Sequence, residues 1–329
     1  MRALLLHAPD SPGPSLTVID TERPKPGPGE VLIEVAYGGC NYADTMMRDG
    51  TYPHPKGYPL VAGLEISGRV AEVGPGVEGI GEGAAVAAFS ENAGGFADYC
   101  AVPFERCVPL PSGLSLKMGA AFPIQGLTAY HLLHTVSITR PGDVVLIHAI
   151  GGGVGLYLTQ LAVEAGARVI GTIGTAGKER RPLGYGAERV INREEEDFVE
   201  AVKAHLGGRP VDKVLDSTGA SILDRSFGLM KKLGHVVSYG GAEGRPLPNL
   251  WERLVERSLT FTRFHLGHSD FSSMAWERGW KHVTAGLSEG RLEAPIEAVY
   301  PFEECAAMYD ALRSRQMAGK LLLAVNPSL

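Results

Sequence analysis

VVLIHAIGGGVG, at residues 144–155, is the stretch that decides the fold. Its first five residues form an apolar run, which is typical of a parallel strand buried on both faces. A glycine-rich turn follows, and residues 154–165 then carry apolar side chains at helical spacing, up to a good helix stop at Gly166. Another strand pattern starts at Arg168. This order of strand, tight turn, helix and strand predicts the first unit of a nucleotide-binding fold.

Small residues recur at every third position of the turn, at Ala149, Gly152 and Gly155. The first permits a sharp turn, the second lets the backbone approach a pyrophosphate, and the third lets the helix pack closely on the strand. The helix start at Gly153 and Val154 offers free N–H groups and the positive end of a dipole to the phosphates. A glycine-rich loop alone can be a plain connection, but its place between strand and helix favours a dinucleotide site.

Further strand patterns follow, and helical patterns separate most of them. They are Arg168–Thr172, Arg189–Ile191, Lys213–Asp216, His235–Tyr239 and Leu259–Phe261. Six strands with helical crossovers predict an α/β, doubly wound Rossmann domain over residues 125–264. The preceding region has strands and turns with few helical periods, which predicts a mostly-β domain. Its strand patterns are Val31–Ala36, Gly68–Val73, Ala84–Phe89 and Phe96–Val102.

The last part of the chain has two helical patterns, Trp276–Gly286 and Phe302–Arg315, and an apolar strand, Lys320–Val325. These elements are too few to enclose a core of their own. We therefore expect them to return to the mostly-β domain, which then comprises residues 1–124 and 265–329.

Composition excludes several classes of function. The net charge of −6 comes without any basic run, which argues against nucleic-acid binding. No apolar stretch is long enough to span a bilayer, so we expect no membrane association. The 4 cysteines form no Cys-x-x-Cys pair and lack the density of a disulfide scaffold. Together these features predict a cytoplasmic protein.

The end of the second strand indicates which dinucleotide binds. NAD sites place an Asp or Glu there to hold the ribose hydroxyls, whereas residues 171–175 of this chain are GTIGT, which includes Gly174 and Thr175. A 2′-phosphate is therefore not repelled, and Lys178 and Arg193 each follow a strand end. A solvated, charged helix start is the alternative for these basic residues. The sequence predicts NADPH as the cofactor, with both basic residues in the site.

Several motifs, in order, resemble the NADPH:quinone oxidoreductases, the zeta-crystallin-like branch of the medium-chain dehydrogenase/reductase superfamily. They are residues 41–45 (NYADT), 50–53 (GTYP), 63–68 (GLEISG), 125–130 (QGLTAY), the glycine turn, and residues 171–175. The resemblance runs nearly end to end. It implies a GroES-like catalytic domain in two pieces, with the active site in the cleft between it and the Rossmann domain. It also implies a homodimer formed through the edge strand at Ser258–Thr262.

The resemblance also implies that no zinc is bound. The superfamily's alcohol dehydrogenases use a Cys where this chain has Asn41, and a His where it has Leu64. A zinc site needs at least three protein ligands, and at least two are lost. Without a Lewis acid, a quinone or small conjugated carbonyl is an easier acceptor than a simple ketone. An enoyl or alkenal reductase, or a non-catalytic NADPH-binding protein, remain alternatives.

The remaining candidate site residues come from the same resemblance. Asn41 is expected to donate its amide to a developing oxyanion, and Tyr52 its hydroxyl, although a capping Asn and a packed Tyr are alternatives. Thr128 is expected to hold the nicotinamide region, with a helix cap as the alternative. Residues 239–241 (Tyr239, Gly240 and Gly241) follow a strand and are also expected to contact the nicotinamide. Lys320 belongs to a family tail motif and is assigned to cofactor binding, with an ordinary surface lysine as the alternative.

Overall fold

The computed structural model describes residues 1–52 and 54–329, so Pro53 of the 50–53 motif lies outside the described residues. The chain forms two compact units. One comprises residues 1–124 and 270–329, and the other residues 125–269. The second boundary therefore lies at 269 rather than at 264, since backbone bonds from Phe264 to Ser238 and from Ser269 to Leu266 continue the nucleotide unit. No helix of the described chain is long and apolar enough to cross a membrane.

The first unit is mostly β. Its strands are β1 (Arg2–Leu6), β2 (Leu16–Asp20), β3 (Glu30–Cys40), β4 (Leu60–Val61), β5 (Glu65–Val73), β6 (Ala85–Phe89), β7 (Tyr99–Pro103) and β8 (Cys107–Pro109), with β15 (Ile296–Pro301) and β16 (Lys320–Ala324) from the tail. Its helices are α1 (Tyr42–Arg48), α2 (Leu116–Gly119), α9 (Met274–Ser288) and α10 (Cys305–Arg313). A small sheet has the order β2-β1-β4, and a larger one β15-β16-β3-β5-β6-β8, with β7 also paired to β3.

The tail packs on the β-rich unit. Strand β16 pairs antiparallel with β3, with Leu321 opposite Cys40, and extends the larger sheet. Helix α10 buries Met308 and Tyr309 in the same core as Phe96. The predicted helix from Phe302 to Arg315 is shorter at both ends, because its first three residues form a 3-10 turn and the helix ends at Arg313.

The second unit is a six-stranded parallel sheet flanked by helices. Its strands are β9 (Val144–His148), β10 (Arg168–Ile173), β11 (Arg189–Asn192), β12 (Val211–Asp216), β13 (Met230–Ser238) and β14 (Thr260–Arg263). Its helices are α3 (Gln125–His131), α4 (Gly153–Glu164), α5 (Arg180–Gly184), α6 (Phe198–Leu206), α7 (Ala220–Ser226) and α8 (Leu250–Val255). A π-helical turn, Leu132–Val136, follows α3.

The strand order β11-β10-β9-β12-β13-β14 confirms the predicted doubly wound sheet. Strands β10 and β11 are added on one side of β9, and β12, β13 and β14 on the other, so the strand order reverses between β9 and β12. Ligands of such sheets bind at the carboxyl ends of the strands beside this point. All five residues of β9 are buried, as its continuous apolar run predicts. Strand β14 lies at the edge of the sheet, where the sequence places it.

Candidate cofactor site and active-site residues

The turn after β9 is held in an unusual backbone conformation. Ala149 has φ of 54°, in the left-handed region that side-chain-bearing residues rarely adopt. The Gly152 N–H donates to its carbonyl at 2.9 Å, and the Ile150 N–H donates to Thr172 of β10 at 3.1 Å. The chain thus turns sharply from the end of β9 into α4, which begins at Gly153 with Gly152 as its N-cap.

The glycines of this turn have different functions. A Cβ at Gly155 would lie 2.5–2.7 Å from backbone atoms of Ala149 and Ile150, so this glycine permits the close packing of helix on strand. A Cβ at Gly153 would collide with the carboxamide of Gln125. A Cβ at Gly152 would meet only the Ala149 carbonyl, at 3.2 Å, so its outer side is open to a ligand.

This open glycine precedes a helix of 12 residues without a side-chain cap. The first N–H groups of a helix have no intrahelical acceptor and attract anions. A cradle that a side chain at Gly152 would fill, followed by such donors, fits the pyrophosphate of a dinucleotide.

Arg193 lies at the carboxyl end of β10. Its Nη1 donates to the Thr172 hydroxyl at 2.6 Å, and a Cβ at Gly174 would lie 2.7 Å from its Nη2. The guanidinium therefore covers the strand end, rather than projecting from a solvated helix start. Thr175, next along the chain, is half-buried.

Lys178 is half-buried and packs on the glycine turn. A Cβ at Gly151 would lie 2.7 Å from the Lys178 Cβ and 3.4 Å from its Cδ. The structure thus places Lys178 beside the turn and Arg193 beside the end of β10. Both cations adjoin the segments that the sequence assigns to the pyrophosphate and the ribose.

Residues 239–241 follow the carboxyl end of β13, on the same side of the sheet as the glycine turn after β9. The Tyr239 N–H donates to Asp216 at the end of β12, at 2.8 Å. A Cβ at Gly240 would lie 2.7–2.8 Å from Ser217, so only glycine fits at this position. A Cβ at Gly241 would have open space around it. Burial raises the pKa of Tyr239 well above its ordinary value, and the phenol stays protonated.

Thr128 is buried in α3, three residues after the helix begins, so the helix-cap alternative is wrong. Its hydroxyl makes no hydrogen bond within the described part of the chain. His131, on the same helix, bonds to Thr135 at 3.0 Å, and burial lowers its pKa to about 4. The imidazole is therefore neutral near pH 7 and serves packing.

Asn41, in the β-rich unit, is 5% exposed, and its amide is bound on both sides. Its Nδ2 donates to Glu65 at 2.9 Å and to the Gly39 carbonyl at 3.2 Å. Its Oδ1 accepts from the Lys320 ammonium at 2.8 Å. The donor that the sequence assigns to a substrate oxygen is thus engaged within the protein, and its longest bond is the one to Gly39.

Lys320 differs from both expectations for it. It is neither a surface lysine nor left to bind a cofactor, since it is 0% exposed and its ammonium is bound by Asn41 and Glu65. Sequence reasoning missed Glu65, which is also 0% exposed. A carboxylate within the glycine-flanked 63–68 motif was the available signal, because a charged residue in a buried strand needs a partner.

Asp44 is buried and bonded to the backbone of Asn41. Its Oδ2 accepts from the Asn41 backbone N–H at 2.8 Å, and it is 0% exposed. Burial, the largest cause, raises its pKa to about 7.

This pKa predicts a pH effect on stability. The folded state holds the Asp44 proton up to about pH 7, while an unfolded carboxyl with a pKa of 3.8 releases it. Its contribution to stability is therefore complete below about pH 4 and is lost as the pH rises to about 7. Relative to Asp44→Asn, the wild type should lose on the order of 4 kcal/mol over this range. Denaturant unfolding of both proteins at pH 4, 5.5 and 7 measures it, and a constant difference would contradict it.

Tyr52 is 38% exposed, and its backbone N–H donates to Met46 at 3.2 Å, just beyond α1. This exposure is compatible with the predicted hydroxyl donor and argues against a fully packed aromatic. Its role in the reaction stays a prediction.

Comparison with known proteins gives the family. Residues 27–112 match the alcohol dehydrogenase GroES-like domain, and residues 153–282 match the zinc-binding dehydrogenase domain. A probable quinone oxidoreductase of Schizosaccharomyces pombe is 35% identical over 324 residues, which is 96% of each chain. The chain belongs to the quinone oxidoreductase family. It is thus a medium-chain dehydrogenase/reductase with a GroES-like and a Rossmann domain.

Two further family relatives bear on the site. The Escherichia coli quinone oxidoreductase complexed with NADPH has a TM-score of 0.92 and 30% identity, over 99% of this chain and 100% of that one. A 2-haloacrylate reductase of Burkholderia sp is 33% identical and covers 91% of both chains. The chain is therefore similar both to named quinone oxidoreductases and to a named 2-haloacrylate reductase.

The two positions assigned to lost zinc ligands hold Asn41 and Leu64, and Leu64 is 8% exposed. Cys40 is buried, and burial raises the pKa of its thiol well above the ordinary value. Across residues 1–52 and 54–329, no group of three or more His, Cys, Asp or Glu could hold a metal.

Proposed function

We propose that the protein is an NADPH-dependent reductase of quinones and small conjugated carbonyls that works without a metal. The observation that carries the proposal is the end of β10, where Arg193 covers Gly174 and residues 174–178 include no carboxylate. An anionic 2′-phosphate is favoured there and a bare ribose gains nothing. The quinone oxidoreductase relatives support the acceptor class.

The cofactor is held by the nucleotide unit. The turn from Ala149 through Gly152 to Gly155 fits the pyrophosphate, and Lys178 and Arg193 would neutralise the 2′-phosphate. Thr128 and residues 239–241 are the candidates for the nicotinamide end. When bound, NADPH supplies the hydride.

The β-rich unit supplies the candidates that act on the acceptor. Asn41 and Tyr52 carry N–H and O–H donors, which stabilise charge that develops on a carbonyl oxygen. A quinone or conjugated carbonyl spreads the incoming charge onto that oxygen by itself. Orientation and hydrogen bonds then suffice, and no Lewis acid is needed.

The 2-haloacrylate reductase relative supports a second candidate, reduction of a conjugated carbon–carbon double bond. Such a substrate shares the electronic feature of a quinone, since its carbonyl or carboxyl group accepts the charge. The two candidates differ only in the acceptor, so one screen separates them.

The proposed function predicts NADPH oxidation with at least one of three acceptor classes: quinones, enones, and enoyl thioesters or haloacrylates. Absorbance of NADPH at saturating cofactor measures it. We expect the same rate after dialysis against a chelator, because two zinc-ligand positions are lost. Tight NADPH binding without turnover of any acceptor would instead indicate a non-catalytic NADPH-binding protein, and a chelator-sensitive rate restored by zinc would refute the metal-free mechanism.

We also propose a cytoplasmic homodimer, formed through the edge strand β14. All four cysteines are unpaired and buried, which suits a reducing compartment. Exposed apolar residues precede the strand in α8, where Trp251 is 77% and Val255 63% exposed. The free side of an edge strand and exposed apolar side chains need a partner.

The dimer predicts a mass of twice 35.0 kDa in sedimentation equilibrium. Trp251→Glu should shift the equilibrium toward monomer, because a charge on an apolar interface is costly to desolvate. Leu183→Glu, also on an exposed helix position of this unit, is the control and should leave the mass unchanged. A monomeric wild type would contradict the proposal.

A further inference from the structure

Three strands of the larger sheet bring one charged cluster together in the β-rich unit. Asn41 follows β3, Glu65 begins β5 and Lys320 begins β16. These strands are neighbours in the sheet, with β3 between the other two. Glu65 and Lys320 form a fully buried ion pair, and Asn41 bonds to both partners.

The backbone is shaped to admit this pair. A Cβ at Gly39 would lie 2.7 Å from the Lys320 Cε and 2.9 Å from the Glu65 Oε2, and would also collide with the Ala120 carbonyl. The second oxygen of Glu65 accepts from the Ile124 N–H at 2.8 Å. The carboxylate is therefore fixed from two sides, and glycine is the residue that leaves room for the lysine stem.

The cluster determines which end of the Asn41 amide is oxygen and which is nitrogen. An asparagine amide rotated by 180° exchanges its donor and acceptor ends. Here an ammonium binds one end and a carboxylate binds the other, so only one orientation is favourable. In that orientation the second N–H, which reaches Gly39 at 3.2 Å, is the weakest-bound donor and the one for which an acceptor oxygen can compete.

We propose that Lys320, together with Glu65, is a positioning residue that orients the Asn41 amide so that an N–H faces the substrate oxygen. The inference rests on the proposed reductase function. A reversed amide would present an oxygen lone pair to developing negative charge and would oppose the reaction. Lys320 acts through Asn41 and does not touch the substrate in this account.

The test uses a double-mutant design in the full-length protein. Lys320→Met alone leaves a buried, unpaired carboxylate and endangers the fold, so the main variant is Lys320→Met with Glu65→Gln, which removes both charges together. It is made in the wild-type and in the Asn41→Ala background. Cofactor affinity is measured by NADPH fluorescence, and kcat and KM with the best quinone or enone acceptor.

We expect the Lys320→Met, Glu65→Gln double variant, called here the charge-free pair, to lower kcat about tenfold or more when Asn41 is present. In the Asn41→Ala background it should lower kcat less than about twofold, because the effects of residues that act through one another are not additive. NADPH affinity should stay unchanged. Equal losses in both backgrounds, or no loss in either, would overturn the proposal, because a structural role does not depend on Asn41.

A readout without turnover separates this inference from the proposed function. The Asn41 carboxamide signals, assigned by their absence in Asn41→Ala, can be followed by NMR hydrogen exchange. We expect slow exchange in the wild type and clearly faster exchange in the charge-free pair. Unchanged chemical shifts and exchange rates in the double variant would refute the positioning role, even if the wild type is an active reductase. If these signals change as expected but the wild type reduces no acceptor, only the proposed reductase function is refuted.

Discussion

Replacing Lys178 and Arg193 together by alanine is expected to weaken NADPH binding about a hundredfold while leaving NADH binding nearly unchanged. Charge-assisted hydrogen bonds are worth about 1.5–3 kcal/mol each, less when exposed, so two half-buried contacts give roughly 2–3 kcal/mol. Only NADPH has the 2′-phosphate that accepts them. Calorimetric titration of both cofactors measures the effect, and the preference should weaken with added salt.

Arg180→Ala is the matched control, since Arg180 is an exposed cation of the same segment. It should change neither affinity by more than about twofold. Because Arg193 also bonds to Thr172, thermal unfolding of each variant must show that the fold survives. Equal affinity of the wild type for NADPH and NADH at low salt would show that the end of β10 does not select the phosphate.

Two glycines of one turn should give opposite phenotypes when changed to valine. Gly155→Val should destabilise the protein by about 3 kcal/mol or more, because its Cβ would lie 2.5 Å from a backbone oxygen that cannot move aside. Gly152→Val should keep the fold, since only one atom lies near its Cβ, at 3.2 Å. Its side chain would instead fill the cradle, and NADPH affinity should fall by roughly tenfold or more.

Gly228→Val is the control for substitution as such, because nothing lies within 4 Å of its Cβ. It should alter neither property. Denaturant unfolding and NADPH fluorescence titration of the three variants provide the comparison. Normal NADPH binding by Gly152→Val would mean that the phosphates lie elsewhere.

Local sequence patterns are sufficient to predict the fold of the nucleotide unit. A buried apolar run, small residues at every third position and a largely buried helix are contiguous in sequence, and the contacts they make are also local. Ala149 and Gly152 accordingly lie in the turn and Gly155 lies in the first turn of α4, and a Cβ at Gly171 would collide with Ile150. The basic residues Lys178 and Arg193 follow the ends of β10 and β11. Because these strands are parallel, their carboxyl ends lie on the same side of the sheet.

The β-rich unit was harder to interpret, because its decisive contacts join distant parts of the chain. Asn41 and Lys320 are 279 residues apart, and Glu65 and Lys320 are 255 apart. A local motif contains only one of these residues, so it predicts for Lys320 a cofactor contact or a surface position. Burial of a charge is a property of the folded neighbourhood, and no local pattern around Lys320 indicates it.

The sequence by itself determined the two-domain architecture and the glycine turn, and it carries the prediction of NADPH as the cofactor, since these depend on residue types at short, fixed spacings. Only the tertiary structure decided that the Asn41 amide is engaged on both sides, that Glu65 is its partner, and that Lys320 is buried. The pairing of β16 with β3 and of β3 with β5 brings these three side chains together. A buried cation and carboxylate are stable only when paired, so the fold, not the motif, fixes their roles.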